Sequence, residues 1–240
     1  MKYRYLIVFI ISIFFSCNKK KDIPNSTLLK VNLSKGQEMI YDVQYTYTLS
    51  KPLFVGNQSI YYRNIYQNLH IKVLEKNKET YTISTHISHL RWEDYNKDSI
   101  LVALYDSKFK HLNIGYGENF TALIENIITH YDTLVINENS GYSTIDTFSY
   151  IPFFFHYPSY KLAGNDTFGI QIPSGKETLQ IDSISSSALM MHTLTDTENT
   201  FKGSYIINSL NGNIIQGSQN FTLRNHPKYK IINISYNQIK

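Results

Sequence analysis

The main shortage in this 240-residue chain is of cysteine, which occurs once. A single thiol cannot form an internal disulfide, and it cannot supply a zinc site built on cysteine pairs. The excess of positive over negative charge is small as well, because 23 lysines and arginines against 19 aspartates and glutamates leave a formal net charge of +4. This balance gives no broad basic surface, so we do not expect nucleic-acid binding.

The chain also lacks an apolar run of the roughly 18 residues or more that a membrane-spanning helix requires. Its longest run is Tyr5–Phe15, which is interrupted only by Ser12 and follows the basic residues Lys2 and Arg4. A short basic segment followed by a short apolar segment is typical of a secretory signal peptide. We therefore predict export, and no segment that spans a membrane.

The end of this apolar run resembles the lipobox that the lipoprotein signal peptidase reads. Ser16 provides the small residue before the cleavage point, and Cys17 stands where the lipid is attached. The usual leucine three residues before the cysteine is Phe14 here, a departure found in the lipoproteins of the Bacteroidota. The resemblance implies that residues 1–16 are a signal peptide and that acyl chains on Cys17 anchor the protein to a bilayer. The alternative is an ordinary secretory signal followed by a chance cysteine.

The residues after Cys17 predict where the anchor ends and the domain begins. Lys19, Lys20 and Lys21 open a polar stretch, so we assign residues 17–34 to the lipidated cysteine and a flexible tether. Neither an aspartate directly after Cys17 nor a run of acidic residues is present. By resemblance to known sorting signals, this favours the periplasmic side of the outer membrane. We therefore expect residues 35–240 to form one domain. Their number is ordinary for a single domain, and their apolar content is ample for a core.

Apolar and polar residues alternate with a period of two from Gln37 onward, which predicts a long strand with one apolar face. The apolar positions of this first strand are Met39, Tyr41, Val43, Tyr45, Tyr47 and Leu49. Similar segments recur about ten times towards the C terminus and are joined by short polar turns, of which Asn211-Gly212 is the strongest hairpin signal. The pattern predicts a mainly β domain of antiparallel strands.

One segment has the period of a helix instead. Its apolar residues recur at offsets of 0, 3, 4, 7, 8 and 11 and are Phe120, Leu123, Ile124, Ile127, Ile128 and Tyr131. We predict a helix here, with Asn119 as its N-cap and its apolar stripe packed on the sheet.

An aromatic segment follows at Ile151–Tyr160. Two prolines bar it from a central strand, so we predict a loop or lid. Its aromatic residues include Phe153, Phe154, Phe155 and Tyr157. They are expected to cap the core, to line the mouth of an apolar pocket, or to form a partner interface.

About eleven long strands with one helix require a closed barrel or a strongly curved sheet around the helix. The layout resembles the LolA/LppX-like periplasmic lipoproteins and lipoprotein carriers. The shared features are Lys35-Gly36 before a Tyr-rich strand, a mid-chain helix, an aromatic stretch leading into Lys161–Phe168, and Asn211-Gly212 near the end. Phe168 stands where this family often has tryptophan. The resemblance implies a half-barrel of 10–12 antiparallel strands, with the helix on a concave face that can hold acyl chains.

Motifs that carry catalysis are missing. The chain contains no Gly-x-Ser-x-Gly, no His-Glu-x-x-His, no phosphate-binding loop and no dinucleotide fingerprint, so we predict no catalytic residues and no cofactor. His86 and His89 lie three apart on a predicted strand and face opposite sides, so we predict no metal site there. Trp92 beside Glu93 and Asp94 suits a sugar ring, although a solvated turn is the simpler interpretation.

Three functions remain open. The first is a non-catalytic module that binds an apolar ligand, such as a lipid acyl chain, between the helix and the sheet. Its ligand would contact Phe120, Ile124 and Ile127, and would pass under a lid that contains Phe153, Phe154, Phe155 and Tyr157. The second is a structural or protein-interaction lipoprotein of the cell envelope, with partners that the sequence does not specify. The third is a surface lipoprotein that binds glycans through Trp92.

The lipidation hypothesis predicts the behaviour of Cys17→Ser. Without the thiol no diacylglyceryl group can be attached, so the protein should move from the detergent phase to the aqueous phase in Triton X-114 partitioning. Ser16→Ala keeps a small residue before the cysteine and should behave as wild type. Mass spectrometry of the N-terminal peptide would identify the lipid. If Cys17→Ser still entered the detergent phase, Cys17 would not be the anchor.

Overall fold

The computed structural model describes residues 26–78, 80–109, 115, 117–129, 131–137, 142–144, 152–172, 175–194, 201–222 and 228–240. The predicted signal peptide, Ser16, Cys17 and residues 18–25 lie outside these ranges. The described strands, in chain order, are β1 Ser26–Thr27, β2 Glu38–Val55, β3 Gln58–Asn77, β4 Thr80–Tyr95, β5 Leu101–Asp106, β6 Tyr131–Asn137, β7 Tyr142–Thr144, β8 Pro152–Phe155, β9 Leu162–Ala163, β10 Thr167–Ile172, β11 Gly175–Ile184, β12 Ala188–Thr193, β13 Phe201–Asn208, β14 Ile214–Thr222 and β15 Tyr229–Gln238. One helix, α1 Glu118–Thr129, accompanies them in the described part of the chain.

Eleven of these strands form one antiparallel sheet with the order β10-β11-β12-β13-β14-β15-β2-β3-β4-β5. Strand β6 is the eleventh and pairs with the first half of β4, whereas β5 pairs with the second half. The last strand, β15, lies beside the first long strand, β2, so the two ends of the domain meet in the middle of the sheet. The predicted mainly β fold, with one large antiparallel sheet and one helix, is confirmed.

The period-two pattern of β2 places its aromatic residues as predicted. Tyr41, Tyr45 and Tyr47 are buried on one face of the sheet, and the intervening side chains Asp42 and Gln44 are exposed on the other. The strands on both sides continue the same apolar face, which carries the core of the domain. Burial of this face is the main stabilising contribution that the fold provides.

The tether prediction fails for residues 26–34, because this segment belongs to the core. Leu29 and Leu33 are 1% and 0% exposed, and Val31 between them is also buried. The Asn32 N–H donates to the Asn211 carbonyl at 3.0 Å, and the Tyr81 hydroxyl donates to the Val31 carbonyl at 3.2 Å. Three apolar residues at alternate positions suffice to bury one side of an extended segment. We call residues 26–33 the N-terminal strap.

The helix starts earlier and ends earlier than the stripe predicted. Asn119 lies inside α1 and is therefore not its N-cap, while the Phe120 N–H donates to the Gly117 carbonyl at 3.0 Å. Tyr131 belongs to β6, where it is 64% exposed and lies opposite His86 of β4. The β6–β4 ladder thus overrides the helical period at this residue, because pairing satisfies the backbone groups that another helical turn would have used. Helix α1 packs against β4.

The aromatic segment is part strand and part core. Pro152 begins β8, a position that proline tolerates, and the strand pairs with β7, so the predicted loop is wrong for residues 152–155. Phe155 is fully buried, with its ring centroid 4.9 Å from that of Tyr205. Tyr157 is buried as well. The side chains of Phe153 and Phe154 lie outside the described part of the structure.

One buried tyrosine covers a glycine in the neighbouring strand. Gly217 of β14 lies directly opposite Tyr236 of β15 and Tyr205 of β13. A Cβ atom at Gly217 would stand 2.1 Å from the Tyr236 ring, so only glycine leaves room for that ring. The ring in turn lies edge-on to Tyr41, with 6.1 Å between the centroids. Glycine at this site therefore serves packing rather than flexibility.

Gly217→Ala should lower the free energy of unfolding by about 1–3 kcal/mol, because the buried Tyr236 ring has to move. Gly164→Ala is the matched control, since a Cβ there meets no atom within 4 Å, and its effect should stay within about 0.5 kcal/mol. Urea unfolding followed by circular dichroism measures both. Equal stability of the two variants would show that the Tyr236 ring is not held against Gly217.

Candidate functional site

The ligand residues predicted on the helix are packed against the chain itself. Ile124 is 1% exposed, and Ile127 is partly buried against the core. The Phe120 ring stands edge-on to Trp92 and Tyr105, with centroid distances of 5.4 and 6.1 Å. These contacts pack the predicted ligand residues of the helix against the core of the domain.

The aromatic half of the predicted site lies elsewhere. Phe155 contacts Tyr205 of β13, and the Tyr157 ring lies 6.2 Å from that of Phe168 in β10. Helix α1 packs on β4, which is far along the sheet order from both of these strands. The helix residues thus pack near β4 and the aromatic residues near β10 and β13, and all of them belong to, or pack against, one hydrophobic core cluster.

A groove occurs where the N-terminal strap passes the segment after β8. It has a volume of about 260 Å³ and is lined by Leu29, Lys30, Val31, His156, Tyr157, Pro158 and Ser159. Leu29, Val31 and Tyr157 are buried and form its apolar part, whereas Lys30 and His156 are exposed at its rim. Sequence reasoning found Tyr157 but missed the strap. The alternation of Leu29, Val31 and Leu33 was the signal available for it.

Backbone contacts on both sides hold the groove in place. The Tyr157 hydroxyl donates to the Gly212 carbonyl at 2.6 Å, and burial raises the pKa of this phenol, so it stays neutral at physiological pH. Gly212 has a φ of +71°, and a Cβ there would lie 2.7 Å from the Lys30 carbonyl oxygen. The Asn211-Gly212 turn, a hairpin signal in the sequence, thus also supports the strap. Thr27 pairs with Leu162 at the far end of the strap.

The groove offers apolar contact beside a positive charge. Lys30 is exposed at the rim, and the described lining residues include no carboxylate to neutralise it. The groove therefore combines apolar lining with one exposed ammonium group at its rim.

The carboxylates beside Trp92 are paired with arginines of β3 and β4. Asp94 is fully buried and accepts two hydrogen bonds from the Arg63 guanidinium, at 2.7 and 2.8 Å. The same guanidinium lies over the Trp92 ring at 4.3 Å from its centroid. Glu93 accepts hydrogen bonds from Arg91 at 2.7 Å and from the Tyr95 hydroxyl at 2.6 Å. This cluster joins β3 to β4. Because its charged groups are engaged with one another, it is poorly suited to bind a glycan.

His86 meets a histidine that is distant in sequence. It lies directly opposite His70 of β3, with 5.3 Å between the ring centroids, and stacks on Tyr131 at 4.4 Å. His89 instead lies 3.1 Å from a carboxylate oxygen of Asp106. The β3–β4 register shifts between Ile87 and His89, so His86 and His89 have different partners. Spacing within a strand could not reveal the His70–His86 pair, because only strand pairing creates it.

Comparison with known proteins adds no family: no protein-family model matches the chain, and no curated protein matches it either. Within the described ranges, no helix is long and apolar enough to cross a membrane. In that same part of the chain, no group of three or more His, Cys, Asp or Glu side chains is arranged to hold a metal ion.

Asp94→Asn should lower the free energy of unfolding by about 3 kcal/mol, because it leaves the Arg63 charge without its buried partner. Asp98→Asn changes the charge equally on an exposed turn and should cost less than about 0.5 kcal/mol. Thermal and urea unfolding would measure both. If the two variants unfolded alike, the Arg63–Asp94 pair would not be a structural link between β3 and β4.

Proposed function

We propose that this protein is a lipid-anchored, non-catalytic module of the cell envelope that binds an apolar or amphipathic ligand, such as a lipid acyl chain. The observation that carries the proposal is the groove beside the N-terminal strap, with its apolar floor and cationic rim. This site replaces the pocket between helix and sheet that the sequence suggested. It keeps only Tyr157 of the predicted ligand residues.

The size of the groove suits one hydrocarbon chain. Small-molecule sites usually enclose about 300–1,000 Å³, and the volume of about 260 Å³ lies just below that range. Each methylene group that the groove removes from water contributes about 0.8 kcal/mol. A single acyl chain that is partly inserted is therefore the natural ligand, whereas a complete phospholipid with two chains is too large.

The proposed anchor keeps the groove near the bilayer. Cys17 and Ser26 are nine positions apart (26 − 17 = 9), so an extended linker spans at most about 30 Å. That reach is comparable to the thickness of the hydrocarbon core of a membrane. Attachment at Cys17, on the periplasmic side of the outer membrane, would place the groove where acyl chains are available.

Strong curvature of the sheet, as in the LolA/LppX-like proteins, belongs to the same proposal. Ten strands side by side extend about 45 Å at the usual spacing, whereas a 12-residue helix is only about 18 Å long. The described cover of the apolar face consists of α1, the strap and the segment from Phe155 to Leu162. Curling of the sheet around this small cover is the simplest way to bury its entire apolar face.

A protein-interaction role is the second candidate. Phe54 and Ile100 are 71% and 61% exposed, and both lie at the tips of neighbouring hairpins, together with the exposed Leu53 and Leu101. Exposed apolar side chains that cluster in this way often mark contact sites. Glycan binding is the least supported of the three functions, since the Trp92 ring and both adjacent carboxylates are engaged within the chain.

The groove proposal predicts loss of ligand uptake in Ser159→Trp. The bulky indole would fill the groove, so the affinity for a fluorescent fatty acid should fall at least tenfold. Ser235→Trp adds the same side chain on the exposed face of β15 and should bind as wild type. The mature chain carrying Cys17→Ser would be used for all titrations, with native mass spectrometry to count bound ligand.

Lys30→Glu tests the cationic rim separately. It should weaken binding of a fatty acid but not of the corresponding fatty alcohol, because only the acid carries a negative charge. A wild-type protein with a clean apo mass and no uptake of either ligand would overturn the groove proposal. The protein-interaction role would then be favoured, and Phe54→Asp at the hairpin tips should weaken the contact with a protein partner.

A further inference from the structure

We propose that His70 and His86 form a binding site for one divalent transition-metal ion, of the Zn²⁺ or Cu²⁺ type, on the exposed face of the sheet. This site does not depend on the proposed groove or on lipidation. It lies on β3 and β4, on the opposite face from the apolar core.

The register brings the two imidazoles together on one face. His70 and His86 are directly opposite in the β3–β4 ladder. Their sequence neighbours Leu69 and Ile71 on β3 point into the core, so the histidine side chains point outward. Residues opposite one another in an antiparallel pair have Cβ atoms about 4.5–5.5 Å apart. Two imidazoles in this position can bind the same ion without any movement of the backbone.

The spacing of the rings matches that of two imidazoles on a tetrahedral ion. With metal–nitrogen bonds of about 2.0–2.1 Å and a tetrahedral angle, the two ring centres lie about 5.2 Å apart. The observed distance between the His70 and His86 ring centroids is 5.3 Å. The rings are tilted by 55° to one another rather than stacked, so edge nitrogens of both rings can turn towards a common point.

Ring nitrogens remain available for coordination. His70 Nε2 lies 2.6 Å from the Ser88 hydroxyl oxygen, which leaves Nδ1 for a metal, and such a hydrogen bond on the second nitrogen commonly orients ligating histidines. Tyr131 stacks on His86 at an angle of 6° and fixes the plane of that ring without using its nitrogens.

A cavity of about 170 Å³ next to the rings provides room for the ion and its remaining ligands. Its lining includes His70, His86, Ser84, Tyr131 and Glu38. Glu38 and Lys72 both line this cavity, and the Glu38 carboxylate is already paired, at 3.0 Å from the Lys72 ammonium and 3.3 Å from that of Lys240. The described chain therefore offers two imidazole ligands and leaves the other coordination positions to water or to a further ligand.

The test is titration of the untagged mature chain carrying Cys17→Ser, which also removes the only thiol. Isothermal titration with Cu²⁺, Zn²⁺ and Ni²⁺ should show one site per chain, with Cu²⁺ bound most tightly. His70→Ala and His86→Ala should each lower the affinity at least tenfold. His192→Ala is the control, since this exposed histidine is paired with Asp182 on other strands, and it should bind as wild type.

Electron paramagnetic resonance of the Cu²⁺ complex gives an independent measurement that does not require a substitution. Two coordinated imidazole nitrogens should appear in the wild-type spectrum. No binding below 1 mM metal, or affinity that is lost in His192→Ala but kept in His70→Ala and His86→Ala, would overturn the proposal. Circular dichroism of each variant would establish that the sheet is intact.

Discussion

The structure depends on covering the apolar face of one large antiparallel sheet. Ten of its eleven strands carry described buried side chains, mainly on one face, and these include tyrosines such as Tyr41, Tyr45 and Tyr236. The chain has no disulfide to hold such a sheet together. Removal of this face from water is therefore the dominant stabilising contribution, and each covering segment is constrained by it.

The N-terminal strap has two roles because the apolar face of the sheet has to be covered. Leu29, Val31 and Leu33 cover part of the apolar face, and the same segment continues towards the proposed lipid anchor at Cys17. The groove lies along the junction between this strap and the residues that follow β8. A junction between two covering segments is packed less completely than a sheet, which accounts for the open space of the groove.

Polar side chains serve mainly to join neighbouring strands. Arg63 and Asp94 link β3 to β4 on the buried face, and His70 and His86 meet across the same two strands on the exposed face. Strand β4 is long enough to pair with both β5 and β6, so it carries most of the features that suggest chemistry. Both pairs are properties of this chain, read from its own register.

The sequence by itself determined the local structure: alternation predicted β2 and its neighbours, and Asn211-Gly212 predicted a tight turn. Such signals act between residues a few positions apart, where backbone geometry and side-chain period suffice. Tertiary structure alone decided that Leu29–Leu33 is core, that Tyr131 leaves the helix for β6, and that His70 faces His86. These outcomes depend on strand pairing and on competition for burial between distant segments. The alternation of Leu29, Val31 and Leu33 is a local signal of an extended segment, but it does not show what that segment covers.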